Sequence, residues 1–94
     1  MAENEQPTLE EAIGTINAIL VDEFECDPDA LVDTSASLNE DLGLDSLDGV
    51  DLVVAIEKSF HYRIPEEEAR RIRTLQDIYD QVGRHLASAT GGAV

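Results

Sequence analysis

The stretch Leu42–Phe60, LGLDSLDGVDLVVAIEKSF, places one serine between acids just ahead of an apolar run at helical spacing. Asp45 is a suitable N-cap residue, and Asp48 in the first turn complements the positive end of a helix dipole. These residues predict a helix from about Ser46 to Phe60. They leave open whether the hydroxyl of Ser46 caps the helix, acts as a nucleophile, or carries an attached group.

The apolar residues of this helix fall on two faces. One face is suited to a core at about 100° per residue and comprises Gly49, Leu52, Val53, Ile56 and Phe60. A second stripe is centred roughly 140° away by the same projection; it comprises Leu47, Val50 and Val54, with Asp51 and Glu57 beside it. One small bundle cannot easily bury both faces. The second stripe therefore predicts a transient docking site in which apolar contact supplies affinity and acids supply steering, unless a loop covers it as ordinary core.

The segment before this helix predicts another helix followed by a long loop. Thr8 and Glu11 form a capping box, and apolar residues at helical spacing then run to about Glu25. From Cys26 to Leu44 the pattern gives way to turn-forming residues, with a short helical turn expected near Pro28 to Val32. The apolar residues of this loop suggest that it packs on the bundle: Leu31, Val32, Leu38 and Leu42.

Two further helices follow. Pro65 introduces a short third helix that starts with Glu66, and Thr74 with Asp77 caps a fourth. Its apolar stripe consists of Leu75, Ile78, Tyr79, Val82 and Leu86. We predict an all-α fold, a small four-helix bundle of three main helices plus a short third helix, with the long loop between helices one and two. The chain, 1–94, is expected to be a single domain with flexible ends at about 1–7 and 88–94.

The net charge of the chain limits the classes of partner that it can bind. The 94 residues carry a formal charge of −15, with sixteen acids and no Lys or Arg from Met1 to Glu57. Such a field repels phosphate backbones and anionic lipid, so we expect no nucleic acid, no membrane insertion, and protein partners with basic patches. The alternative is that the charge serves solubility alone.

The cysteine content and the short apolar runs indicate the compartment. Cys26 is the single cysteine, which excludes an intramolecular disulfide and a cysteine-based zinc site. The longest apolar run, Leu52–Ile56, is far too short to span a bilayer, and the first residues have no leader character. We expect a cytoplasmic monomer.

Ser46 is a poor candidate for catalysis. Neither GxSxG nor SxxK surrounds it, and His61 lies about a helix length away. The neighbouring acids fail as an EF-hand, since counting from Asp45 puts Leu47 at the third ligand position. We predict no catalytic residues and no dedicated metal site, although weak divalent binding could relieve the repulsion. A cap-only serine remains open, but a phosphodiester here would lie at a helix N-terminus that accepts anions.

From about Thr8 to Leu86 the sequence closely resembles the acyl carrier proteins. The resemblance rests on an ordered series: Leu38-Asn39-Glu40-Asp41-Leu42-Gly43, Asp45-Ser46-Leu47-Asp48, the run Val50 to Phe60, Ile64-Pro65-Glu66-Glu67-Glu68, and Thr74-Leu75-Gln76-Asp77. It implies that a phosphopantetheinyl transferase moves 4′-phosphopantetheine from coenzyme A onto Ser46, and that the terminal thiol then holds acyl groups as thioesters. The chain itself would not be an enzyme.

The resemblance also assigns roles to two sets of residues. A partner-binding set would meet the transferase and acyl-processing enzymes: Asp45, Leu47, Asp48, Val50, Asp51, Val54 and Glu57. A second set would line an acyl-chain cavity: Gly49, Leu52, Val53, Ile56, Ile72 and Ile78. The pathway could be fatty acid synthesis or a specialised lipid or polyketide route. The rival hypothesis is an acidic adaptor or divalent-cation-binding protein in which Ser46 stays unmodified.

Overall fold

The computed structural model describes residues 8–92, with side chains as far as residue 87. Within that part the helices are α1 at Leu9–Phe24, α2 at Ser46–Phe60, α3 at Glu66–Ala69 and α4 at Leu75–Gly92, with a 3₁₀ turn at Pro28–Leu31. The described residues contain no β-strand, only an isolated bridge between Ser37 and Thr74. The predicted all-α bundle with a short third helix and a long loop between helices one and two is confirmed.

Capping residues fix where the helices begin. At α1, Glu11 N donates to Thr8 Oγ1 and Thr8 N donates to the Glu11 carboxylate, both at 3.1 Å. At α4, Asp77 N donates to Thr74 Oγ1 at 3.2 Å, and Thr74 N donates to Asp77 Oδ2 at 3.1 Å. Arg73 N also donates to Asp77 Oδ2 at 2.9 Å, and this bond, together with those from Thr74, lowers the pKa of Asp77 despite partial burial.

The core lies between α1, α2 and α4. From α1 it takes Ala12, Ile16, Ile19 and Leu20, and from α4 the predicted stripe Leu75, Ile78, Tyr79, Val82 and Leu86, all of them buried. Tyr79 Oη donates to Asn17 Oδ1 at 2.5 Å. This hydrogen bond between α4 and α1 satisfies the hydroxyl of the buried Tyr79 side chain. Cys26 is also part of the core, and its burial, followed by the nearby charge of Asp48, raises the pKa of its thiol.

The long loop is held against the start of α4 by backbone hydrogen bonds. Leu38 N donates to Arg73 O at 2.9 Å, Leu75 N to Ala36 O at 3.1 Å, and Gln76 N to Thr34 O at 2.7 Å. Leu31 and Leu38 are buried as predicted, but Val32 is 80% exposed, so its predicted packing is wrong. Successive residues of a 3₁₀ turn point about 120° apart. With Leu31 facing the core, its neighbour Val32 faces solvent.

The ends of the chain fall mostly outside the described part. The flexible ends predicted at about 1–7 and 88–94 stay a prediction; only the backbone of 88–92 is described there, and it continues α4. Among the helices within residues 8–92, none has both the length and the apolar character needed to cross a membrane.

Candidate functional site

Ser46 is the first residue of α2 and its side chain is exposed. The capping task at this helix belongs to its neighbours: Asp48 N donates to Asp45 Oδ1 at 2.8 Å, and Asp45 N donates to Asp48 Oδ2 at 3.2 Å. Within the described residues, the Ser46 hydroxyl has no hydrogen-bond partner. The reading of Ser46 as the helix cap is therefore wrong, and the hydroxyl is left free for chemistry.

The loop that leads into Ser46 is anchored rather than loose. Leu44 is buried, its N–H donates to Leu38 O at 2.9 Å, and its carbonyl accepts a hydrogen bond from Asn39 Nδ2 at 3.1 Å. Gly43 takes a φ of 73°, a left-handed conformation that glycine adopts without steric cost. The free hydroxyl therefore stands two residues after a fixed point in the core, at the N-terminal end of a helix where unpaired N–H groups favour anions.

The outer stripe, which we define as Leu47, Val50 and Val54, lies in the open. These side chains are 73%, 60% and 40% exposed. The alternative that the long loop covers them as core is wrong. Val54 also borders a groove of about 470 Å³ between α2 and the end of α1, together with Asp51, Phe24 and Lys58. An exposed apolar strip thus begins one residue beyond Ser46.

The predicted acids around the outer stripe differ in their freedom. Asp51 is exposed, and no hydrogen bond of its side chain is seen among the described residues. Asp45 and Asp48 are bound to each other's backbone in the capping box. The half-buried Glu57 accepts a hydrogen bond from Ile64 N at 2.7 Å, which ties α2 to the segment before α3. Asp51 is therefore the acid whose charge is most available to a partner, while Glu57 also has a structural task.

The predicted cavity residues separate into two groups. Leu52, Ile56 and Ile78 are 2%, 1% and 1% exposed and belong to the packed core, against which the partly buried Val53 rests. Gly49 and Ile72 instead line an open groove of about 460 Å³ that contains Ser46. The structure thus brings two of the six predicted residues beside Ser46. Sequence reasoning did not place two other residues of that groove, Arg70 and Arg73, near Ser46, because that proximity depends on the tertiary pairing of the long loop with the start of α4.

Within residues 8–92, Ser46 has no neighbouring histidine of the kind that serves as general base to a catalytic serine. The groove beside it is lined by no histidine among the described residues. His61 lies at the far end of α2 as its left-handed C-cap, about 22 Å along the helix axis at 1.5 Å per residue. The ring of His85 stacks on Tyr62 with centroids 3.7 Å apart. Within the described part of the chain, no group of three His, Cys, Asp or Glu side chains is arranged to hold a metal ion.

The sequence of this chain is similar to those of known proteins. A family model described as a phosphopantetheine attachment site matches residues 14–82. The acyl carrier protein of Thermosynechococcus vestitus is 40% identical over 78 residues, which span 83% of this chain and 95% of that protein. The acyl carrier protein of Syntrophobacter fumaroxidans is 43% identical over 58 residues, covering 62% of this chain and 72% of that protein.

Proposed function

This chain belongs to the acyl carrier protein family, and we propose that it holds acyl groups as thioesters on a phosphopantetheine arm attached to Ser46. Its prosthetic group is 4′-phosphopantetheine. When attached, that group supplies a long flexible tether with a terminal thiol. The attachment at Ser46, the partners and the pathway are the parts that we propose.

One observation carries the proposal: Ser46 Oγ is exposed and free, while Asp45 and Asp48 cap α2 in its place. Ser46 Oγ would attack the pyrophosphate of coenzyme A, forming an Oγ–P bond as the P–O bond to 3′,5′-ADP breaks. In this proposal the hydroxyl proton goes to a base of the transferase, and no histidine of residues 8–92 lines the groove around Ser46. The protein thus supplies an accessible nucleophile and a docking surface, and the transferase supplies the catalysis.

The outer stripe is the proposed contact for the transferase and for acyl-processing enzymes with basic patches. Leu47 and Val50 would pack on the partner, and Asp51 would attract its basic side chains. The formal charge of −15 adds long-range steering. In this proposal the chain is a cytoplasmic monomer and not an enzyme, and it serves fatty acid synthesis or a specialised lipid or polyketide route.

Intact mass spectrometry tests the attachment. We expect wild-type protein to gain the mass of phosphopantetheine on incubation with coenzyme A, Mg²⁺ and a broad-specificity transferase. Ser46→Ala should gain nothing. Ser59→Ala is the matched control, because Ser59 is an exposed serine on the same helix; it should be loaded like the wild type.

Two results would overturn the assignment. Loading of Ser46→Ala would place the arm elsewhere. A folded wild type that stays unmodified would favour an acidic adaptor in which Ser46 is never loaded, and circular dichroism of each sample establishes that it is folded.

A further inference from the structure

The groove beside Ser46 contains arginines, although the part of the sequence around Ser46 has no basic side chain. No Lys or Arg occurs from Met1 to Glu57, so the sequence around Ser46 is purely acidic in its charged residues. Arg70 and Arg73 from the α3–α4 connection nevertheless line the same groove of about 460 Å³. The fold therefore places two arginines in the lining of the groove that contains the attachment residue.

The backbone positions of these arginines are fixed. Arg73 O accepts a hydrogen bond from Leu38 N at 2.9 Å, and Arg73 N donates to Asp77 Oδ2 at 2.9 Å. Arg70 N donates to Glu66 O at 3.0 Å at the end of α3. Both side chains thus start from ordered backbone at the edge of the groove.

Their side chains contribute little to the fold. Arg73 is exposed, and among the described residues its guanidinium has no ion pair or side-chain hydrogen bond. Arg70 pairs with Glu66 at 3.0 Å, but the two side chains are 74% and 81% exposed. An ion pair that is this exposed contributes little to stability. Arg70 can therefore exchange Glu66 for another anion, and the Arg73 guanidinium can accept one without giving up an ion pair.

We propose that Arg70 and Arg73 bind the phosphodiester of the arm and so hold its first part in this groove, above Gly49 and Ile72. The inference rests on the proposed attachment at Ser46. Guanidinium groups bind phosphate oxygens through charge-assisted, often paired hydrogen bonds. They also offset the two carboxylates on the rim, Glu40 and Asp45, which would otherwise repel the arm.

The size and floor of the groove suit the arm itself. A volume of about 460 Å³ lies within the roughly 300–1,000 Å³ that proteins use for drug-sized ligands. A Cβ placed on Gly49 would meet no atom within 4 Å apart from its chain neighbours and the backbone of its own helix turn, so the space above this residue is open. The half-buried Ile72 provides an apolar wall. The phosphorus of the attached arm would be one bond from Ser46 Oγ, whereas a carboxylate on an acyl cargo would lie at the far end of the arm. The phosphodiester is therefore the anion nearest to the attachment residue.

Nuclear magnetic resonance of the apo and loaded proteins tests the inference, with mass spectrometry confirming the loading of each sample. In the wild type, loading should shift the amide signals of Gly49 and Ile72 as well as those next to Ser46. In Arg70→Gln/Arg73→Gln, loading should shift these two signals less than in the wild type, each measured against the apo form of the same protein. The ³¹P line of the loaded variant should be narrower than that of the loaded wild type, because the phosphodiester gains motion. Arg63→Gln/Arg71→Gln is the control with the same change in net charge, since neither residue lines this groove; it should behave as the wild type.

The outcomes separate this inference from the proposed function. If a folded wild type is never loaded, both fail. If Ser46 is loaded but the shifts at Gly49 and Ile72 are absent, or survive in Arg70→Gln/Arg73→Gln, only the arginine site is wrong. A dependence on the arginines that appears with a malonyl-loaded arm and not with the unacylated arm would also overturn it, because the bound anion would then be the cargo carboxylate.

Discussion

α2 and α4 have similar lengths and each is capped by a reciprocal pair of side chains, but they use their apolar residues differently. The five apolar residues predicted for the inner face of α4 are all at most 8% exposed. In α2, Leu52 and Ile56 are buried, whereas Leu47, Val50 and Val54 stay in solvent. α4 is thus explained by packing alone. α2 carries apolar surface that the fold does not use, immediately beyond the free hydroxyl of Ser46.

The largest difference in stability should appear between alanine substitutions on the two faces of α2. Leu52→Ala removes a fully buried side chain and should lower the free energy of unfolding by about 2–5 kcal/mol, whereas Val50→Ala should change it by no more than about 0.5 kcal/mol. Urea unfolding at equilibrium measures both. If Leu52→Ala does not fold, Ile56→Val gives a milder cost of about 0.5–1.5 kcal/mol.

In an assay of docking to the transferase the order should reverse, with Val50→Ala causing a larger loss than Leu52→Ala. Val50→Ala should lower kcat/KM for loading by the transferase roughly five-fold, equivalent to about 1 kcal/mol of lost apolar contact. Equal losses of stability from Val50→Ala and Leu52→Ala would show that the outer stripe is part of the core after all.

The start of α4 provides the next comparison. Asp77→Ala removes a carboxylate that accepts hydrogen bonds from Arg73 N and Thr74 N, and it should cost about 1 kcal/mol at neutral pH. These bonds lower the pKa of Asp77 in the folded state below its ordinary value of 3.8. The stabilisation is therefore present above pH 3.8 and is lost as the pH falls through the lowered folded-state value.

Unfolding curves of the wild type and Asp77→Ala as a function of pH check this expectation. The two stabilities should converge in acid, and a constant difference down to the lowest pH would contradict the role given to the ionised carboxylate. Asp48→Ala removes the equivalent contact at α2, so at neutral pH it should cost a similar amount.

The smallest expected effect concerns the glycine of α2. Gly49→Ala should raise the free energy of unfolding by up to about 1 kcal/mol, because alanine is the better helix former and the added methyl group meets open space. Gly14→Ala in α1, where the space is also open, should give a similar gain. Thermal melts compare the two. A loss of stability from Gly49→Ala alone would mean that the inner face of α2 needs the glycine for packing.

Local patterns were enough to predict much of this molecule. Helical periodicity and Asp45 as the N-cap residue predicted the bounds of α2, and the two-faced projection predicted the exposed outer stripe. The Thr74–Asp77 pair gave the start of α4. These features depend on residues within one or two turns of each other, which is why the sequence alone reveals them.

Features that depend on distant pairings could not be predicted. Arg73 reaches the groove of Ser46 because Leu38 pairs with it across the bundle, and no local signal encodes that contact. The same holds for the stacking of His85 on Tyr62. The prediction that Val32 packs on the bundle was wrong because a single short turn has no periodicity that indicates which side is buried.

The central claim is that Ser46 carries the arm on which acyl groups travel. The most direct measurement is intact and fragment mass spectrometry of the chain purified from its native host, before and after mild hydroxylamine. We expect phosphopantetheine on the peptide that contains Ser46, with an additional acyl mass that hydroxylamine removes, as a thioester requires. Folded protein from growing cells with Ser46 unmodified in every molecule would contradict the account.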